Sequence, residues 1–411
     1  MHVALVVHGL PQPSSLGGPM TSWALLRQLH DEGHRATVVA LRYRDDPHYS
    51  PEREESVRET AELVVVPVTA ALPTPAGTVE LRGRPGLERI FPTRGLAPEL
   101  QRILAGVRPD AIFAYHWDTL APLCDLAGAP RFGVVDDLWH MPNLRRWQTT
   151  RPAATRAYAY WTLSTLRGLR PTTRAMAEVL QTCEAAGAFQ AETAAWLRKR
   201  GVPKCEYLHA PLADAGGPDW AGRRREQENE RPTILLGPSQ LRATSTRAGL
   251  RLFATDILPA LERELGPEGF VVRVVGEGDP SPELAALLPR PSVELTGWVE
   301  SADDEFLRCN VQLVSTPYVL GKRVRIIVGW SFGCCVVAHT AEAVNLPELR
   351  DGENSLLASS GEELAASIVH AVRDRGLAHR IGQGGRRTYE TTFHPAIAAH
   401  AIVRRLEELA G

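Results

Sequence analysis

Short apolar runs rich in Val and Ile recur along this chain, each followed by turn formers and then by an amphipathic stretch. The first forty residues set the pattern: HVALVVH (2–8), PQPSSLGGP (11–19), MTSWALLRQLHDEGH (20–34) and RATVVAL (35–41). Trp23, Leu25, Leu26 and Leu29 share one side of the middle helix, and Gly33 is a stop signal. This is a βαβ unit. Strands that are apolar throughout, without polar alternation, belong to a parallel sheet covered on both faces. The same signal returns at ELVVVPV (62–68), DAIFAYH (110–116), RFGVVDD (131–137) and CEYLHAP (205–211). Beyond the stretch 213–231 a second series begins. It runs TILLGPS (233–239), a helix over 248–264, FVVRVVGEG (270–278), SVELTGWV (292–299), VQLVSTP (311–317), a helix over 325–334, CVVAHT (335–340), SLLA (355–358) and the helical EELAASIVHAVRD.

A chain of 411 residues exceeds one ordinary core and suits two domains of about 200 residues each. The α/β pattern predicts two tandem Rossmann-like domains facing each other across a cleft. The first spans 1–212. The Gly-rich, then charged, stretch 213–231 reads as a linker. The second domain spans 232–385, and a C-terminal helix within 386–411 is expected to pack back toward the first. Net charge is −2, from 46 basic and 48 acidic residues, so no global field points to nucleic acid. The six cysteines show no C-x-x-C spacing, which argues against zinc and a disulfide framework and fits reduced thiols in a cytoplasmic protein. MHVALVVHGLPQP lacks a basic leader and reads as a strand, not a signal peptide. No run approaches the ~20 apolar residues that span a bilayer.

The stretch TPYVLGKRVRIIVGWSFGCCVVAHT (316–340) carries the chemistry. Lys322, Arg323 and Arg325 follow Gly321 and precede an apolar helix. Cations at a helix start oppose its dipole, so they call for a counter-anion, and arginine forks match phosphate oxygens. Solvated surface is the competing reading.

The order of these motifs resembles the GT-B glycosyltransferases, specifically the retaining group 1 family, known as glycosyltransferase family 4. SLGGP (15–19) is similar to the family's glycine loop, and RPDAIFAYHWD (108–118) to its strand ending in His. In the second half ILLGPS, TDILPAL, VVRVVGEGD, VELTGWVES and GKRVRIIVGWSFGCCVVAHTAEAVNLPELRDGENSLLA follow in the family's order. The resemblance implies a nucleotide-diphosphate-sugar donor, a hydroxyl acceptor on a glycan, lipid-linked saccharide or glycoside, and no cofactor or metal. It places Arg323 and Arg325 on the leaving diphosphate with Gly321 and Lys322. Arg242 and Arg247 fall where relatives bind phosphate, with a surface role equally open. Gly276, Glu277, Trp298 and Val299 fall in loops flanking the nucleotide base, where Trp298 either stacks or packs. Gly17 and Gly18 permit φ > 0 and close approach to sugar or phosphate, or simply make a tight turn. His116 matches a position lining the sugar site. Asp137 and His140, beside Asp136, are candidates for acceptor contacts or for helix caps.

The chain departs from the family at two glutamates, whose places fall on Leu320 and Val328. Losing the ribose contact weakens donor binding by roughly ten- to a hundredfold. Glu342 is a candidate substitute. The loss also fits a catalytically degenerate binding or scaffold protein. Separately, residues 138–177 hold seven arginines and no Asp or Glu, interleaved with aromatics. That stretch is either a peripheral contact with anionic membrane at the inner face or an Arg-rich solvated helix with core aromatics.

Overall fold

The computed structural model describes residues 1–13, 17–43, 49–68, 91–136, 138, 163, 171–202, 204–226, 229, 231–318 and 321–411. Two compact units emerge: Met1–Ala213 with Pro395–Gly411, and Asp214–His394.

The first unit is built on seven strands: β1 (His2–His8), β2 (Arg35–Tyr43), β3 (Glu62–Val68), β4 (Ala111–Tyr115), β5 (Arg131–Val135), β6 (Ala185–Ala188) and β7 (Cys205–Tyr207). Their order is β3-β2-β1-β4-β5-β6-β7, parallel throughout. The central strands are buried on both faces, as their unbroken apolar sequences require: all five residues of β4 are inaccessible. The predicted runs become strands at nearly the predicted bounds. β6 is an addition; its sequence AAGA has no β-branched side chain to announce it.

The second unit has six: β8 (Thr233–Gln240), β9 (Val271–Glu277), β10 (Val293–Gly297), β11 (Val311–Val314), β12 (Cys335–His339) and β13 (Leu356–Ala358). Their order is β10-β9-β8-β11-β12-β13, again all parallel. Both sheets reverse strand order once, between β1 and β4 and between β8 and β11. In open α/β sheets, the carboxyl ends of strands at such a reversal are where ligands bind.

Two boundaries differ from the sequence reading. The stretch 213–231 is not a free linker. It contains the helix Trp220–Glu226, whose Arg224 donates to the carbonyls of Phe306 and Cys309 at 2.6 Å each. Asp214 takes a bidentate pair from Arg386 at 2.6 and 2.7 Å. Side-chain partners far along the chain, invisible to local composition, fix this segment to the second unit. The C-terminal helix starts at Pro395 and ends at Ala410. Its Ala399, Ile402, Val403 and Leu406 join the core that Leu25, Leu26 and Leu29 of the helix Gly17–Asp31 line.

Candidate functional site

In the second unit the loops after β8 and β11 flank the switch point. Gly321 has φ 74°, a conformation that favours glycine, and turns the chain into the helix Val324–Ser331. No side chain caps that helix, and its first turn holds no acid. Gln312 on β11 fixes the helix start by donating to the Arg325 carbonyl at 2.8 Å, and its amide lies so close to Gly329 that a Cβ there has no room. Asn345 donates to the Gly321 carbonyl at 3.4 Å. The loop after β11 also rests on the helix Thr244–Leu252: Ser315 Oγ donates to the Gly249 carbonyl at 2.9 Å.

The charges at this turn are unequal. Arg323 is buried at 5% exposure, and its Nε donates to Glu342 Oε2, which is buried at 2%. Burial pushes the Glu342 carboxyl above the usual range, against the pull of Arg323 and then Arg325. Arg325 is half-buried and has no ion-pair partner among the described residues. Burial, and then the like charge of Arg323, bring its guanidinium down to about 10, with Glu342 pulling the other way. Two arginines thus stand beside an uncapped helix N-terminus with one carboxylate, which pairs with Arg323. The surplus is positive.

Glu342, a candidate substitute for the family's ribose carboxylate, is buried with Oε2 on Arg323, while its Oε1 has no hydrogen-bond partner among the described residues. A buried guanidinium needs a counter-anion, and this is the acid that supplies it. Lys322 is half-buried beside the pair. Arg242 is exposed and lies 3.1 Å from Asp279. Arg247 sits half-buried in the first turns of the helix Thr244–Leu252. Glu277 is exposed at the end of β9, its carbonyl taking the Leu241 N–H at 2.9 Å. Gly276 is close-packed against the Ser239 backbone on β8. Trp298 is 68% exposed beyond β10, which removes the packing alternative, and Val299 beside it is half-buried. Val328 is half-buried on the helix that carries Arg325. Leu320 lies outside the described residues.

In the first unit the switch-point strands end in His8 and His116. His116 has φ 88°, a strained conformation for a side-chain-bearing residue, and precedes the short helix Trp117–Leu120. Asp118 is buried at 1%, and its Oδ2 lies 3.3 Å from His8 Nδ1. The His8 ring packs 4.8 Å from Tyr43 and 5.8 Å from His116, centroid to centroid. Burial acts to raise the Asp118 carboxyl, but the His8 hydrogen bond and the His116 charge outweigh it and hold it below the usual range. His8, Tyr43 and Asp118 were not singled out from sequence, although HVALVVH and AYHWD carry the signal: strand ends with His on both sides of the switch. Gly17 and Gly18 are helical, not left-handed, so φ > 0 is not their reason. A Cβ on Gly18 meets the Tyr115 ring at 3.6 Å, and the Tyr115 hydroxyl donates to Asp136 Oδ2 at 2.5 Å. Asp137, His140 and nearly all of 138–177 lie outside the described residues.

Residues 234–374 match the family described as "Glycosyl transferases group 1". That segment is a group 1 glycosyltransferase domain. The whole chain has the GT-B fold. It superposes on a sucrose-phosphate synthase from Thermosynechococcus elongatus with a TM-score of 0.69 at 15% identity, covering 99% of this chain and 98% of that one. HepE of Anabaena, solved with UDP and glucose, gives 0.66 at 13% identity over 99% and 100% of the two chains. A glycosyltransferase from Rickettsia africae gives 0.65 at 13% over 99% and 98%. No curated protein matches the sequence. The group 1 domain contains the Gly321–Arg325 turn, Arg242, Arg247, Trp298 and Glu342. The His8–Asp118 cluster lies outside the matched segment. No helix among the described residues is long and apolar enough to cross a membrane.

Proposed function

We propose that the protein transfers a sugar from a nucleoside-diphosphate sugar to a hydroxyl acceptor, with retention at the anomeric carbon and without a metal ion. The observation that supports this reading is the uneven charge at the second switch point. Arg325 carries a half-buried positive charge with no ion-pair partner among the described residues, next to an uncapped helix N-terminus. Such a turn takes an anion. A diphosphate leaving group gains charge as the glycosidic bond breaks, so cations fixed there stabilise the transition state more than the bound donor. Arg325 and Lys322 contact the diphosphate. Arg323, locked by Glu342, positions the turn. HepE, solved in complex with UDP-glucose, has the same fold, and a uridine nucleotide is therefore the first donor to try.

Calorimetric titration with a panel of nucleoside diphosphates tests the proposal. One nucleotide is expected to bind, and Lys322→Ala with Arg325→Ala to weaken it by roughly a hundredfold or more, since each charged hydrogen bond is worth about 1.5–3 kcal/mol. A chain that binds none of the panel has another function. Val328, standing where the resemblance places a ribose-binding acid, favours a second reading: a binding protein without turnover. Tight nucleotide binding with neither sugar transfer nor donor hydrolysis would select it.

A further inference from the structure

On the first unit, away from either switch point, three metal-ligating groups converge from opposite ends of the chain. Glu32 follows the helix Gly17–Asp31, His34 opens the path into β2, and Glu407 lies on the helix Pro395–Ala410. One ligand atom from each lies within 4.8 Å of the others. His34 Nε2 is 3.2 Å from Glu407 Oε1, yet it is a buried nitrogen with no hydrogen-bond partner: the approach is close but the angle is wrong for a hydrogen bond. Two ligands of one tetrahedral ion bound at about 2.0–2.2 Å stand about 3.3 Å apart without pointing at each other. The observed pair has that separation and that misalignment.

We infer that Glu32, His34 and Glu407 form a zinc-type divalent metal site that staples the C-terminal helix to the start of the chain. The surrounding groups suit it. His34 Nδ1 lies 3.4 Å from the Met1 amino nitrogen, so a metal on Nε2 requires the ring proton on Nδ1, with the Met1 amine deprotonated to accept it. Glu32 Oε1 accepts from Gln28 Nε2 at 2.6 Å and lies 2.8 Å from His400 Nδ1, so the carboxylate is oriented and its other oxygen has no hydrogen bond among the described residues. The Glu407 Oε2 atom lies 3.6 Å from Arg404, leaving Oε1 toward His34. Such outer partners fix the ligands of metal sites. One imidazole and two carboxylates carry two negative charges, which neutralise a zinc ion, and leave its remaining coordination to water. His34 is 13% exposed and Glu407 37%, so an ion has a path in. The site is structural: it lies on the helix that returns to the first unit and adds a bond across the Gly17–Asp31 and Pro395–Ala410 pair.

The experiment is titration of zinc chloride into the full chain after treatment with a chelator, read by calorimetry and by the thermal unfolding midpoint. One equivalent is expected to bind and to raise the midpoint. Glu407→Gln and His34→Gln are each expected to weaken binding at least tenfold and to abolish the midpoint shift. Cobalt(II) in place of zinc is expected to give a visible ligand-field spectrum that Glu407→Gln removes. If His34→Gln fails to fold, Glu407→Gln decides, because that side chain is at the surface. Zinc uptake that is absent, or equal in the parent and Glu407→Gln chains, overturns the inference.

Discussion

At the switch point of the first sheet the charge is negative and enclosed: Asp118, held ionised by His8 and backed by Tyr43 and His116. At the switch point of the second it is positive and in excess, with Arg323 paired to Glu342 and Arg325 without an ion-pair partner among the described residues. Both places arise from the same topological event, a reversal of strand order in an all-parallel sheet. The backbone makes the same reversal in each case, and side chains alone make the two differ. A histidine–aspartate cluster handles protons and hydroxyl groups, whereas surplus guanidinium handles phosphate. Fold likeness at 13–15% identity therefore speaks to topology alone, and the residues must say what is bound.

Four substitutions break or sharpen that contrast. The largest effect is expected from Glu342→Gln, which leaves Arg323 buried without its counter-charge. Breaking a buried pair from one side costs about 3–5 kcal/mol, to be read as a drop in denaturant midpoint. An unchanged midpoint would mean that Arg323 finds another anion and that the turn is not organised by this pair. Next is Val328→Glu, which restores an acid on the cation-bearing helix. If the ribose pocket is otherwise intact, nucleoside diphosphate affinity rises roughly tenfold. A loss of affinity would place Val328 against the phosphates instead.

Asp118→Asn removes the one buried charge of the first cluster and is expected to cost about 1–3 kcal/mol at neutral pH. Its pH dependence follows from the depressed carboxyl. Below the ordinary value of 3.8 the unfolded chain takes up a proton that the folded chain still refuses, so stability falls as pH falls through that window. The gap between parent and variant should close there, as urea titrations at several pH values would show. A gap constant with pH means that Asp118 is not the ionised member. The smallest effect is Trp298→Ala. With its ring 68% exposed, stability should stay within about 0.5 kcal/mol. Nucleotide affinity drops a few-fold if the ring stacks on the base, and competition binding with UDP against a non-aromatic phosphate ligand separates stacking from charge.

Twelve of the thirteen strands among the described residues were legible, most of them because a strand buried on both faces is a nearly unbroken apolar run that stands out between turn formers. β6 escaped notice because Ala and Gly carry no strand preference; its place is set by neighbours that leave room only for small side chains. The position of the cation turn was legible as well, since glycine followed by three basic residues and an apolar helix is a local pattern. The sequence left the stretch 138–177 open between two readings, and most of it lies outside the described residues.

What local sequence could not contain is pairing at a distance. Arg323 and Glu342 are 19 residues apart and meet only because β12 returns beside β11. Arg224 reads as one more charge in a polar linker, yet it is anchored on carbonyls 82 and 85 residues away. Glu32 and His400 are separated by 368 residues. Composition and periodicity determined which stretches become strands and helices, because those preferences are set by neighbours one to four residues off. Which charges are neutralised, which remain for a ligand, and which chain ends meet were decided by tertiary structure, because electrostatic energy depends on separation in space and on burial, and neither is written along the chain.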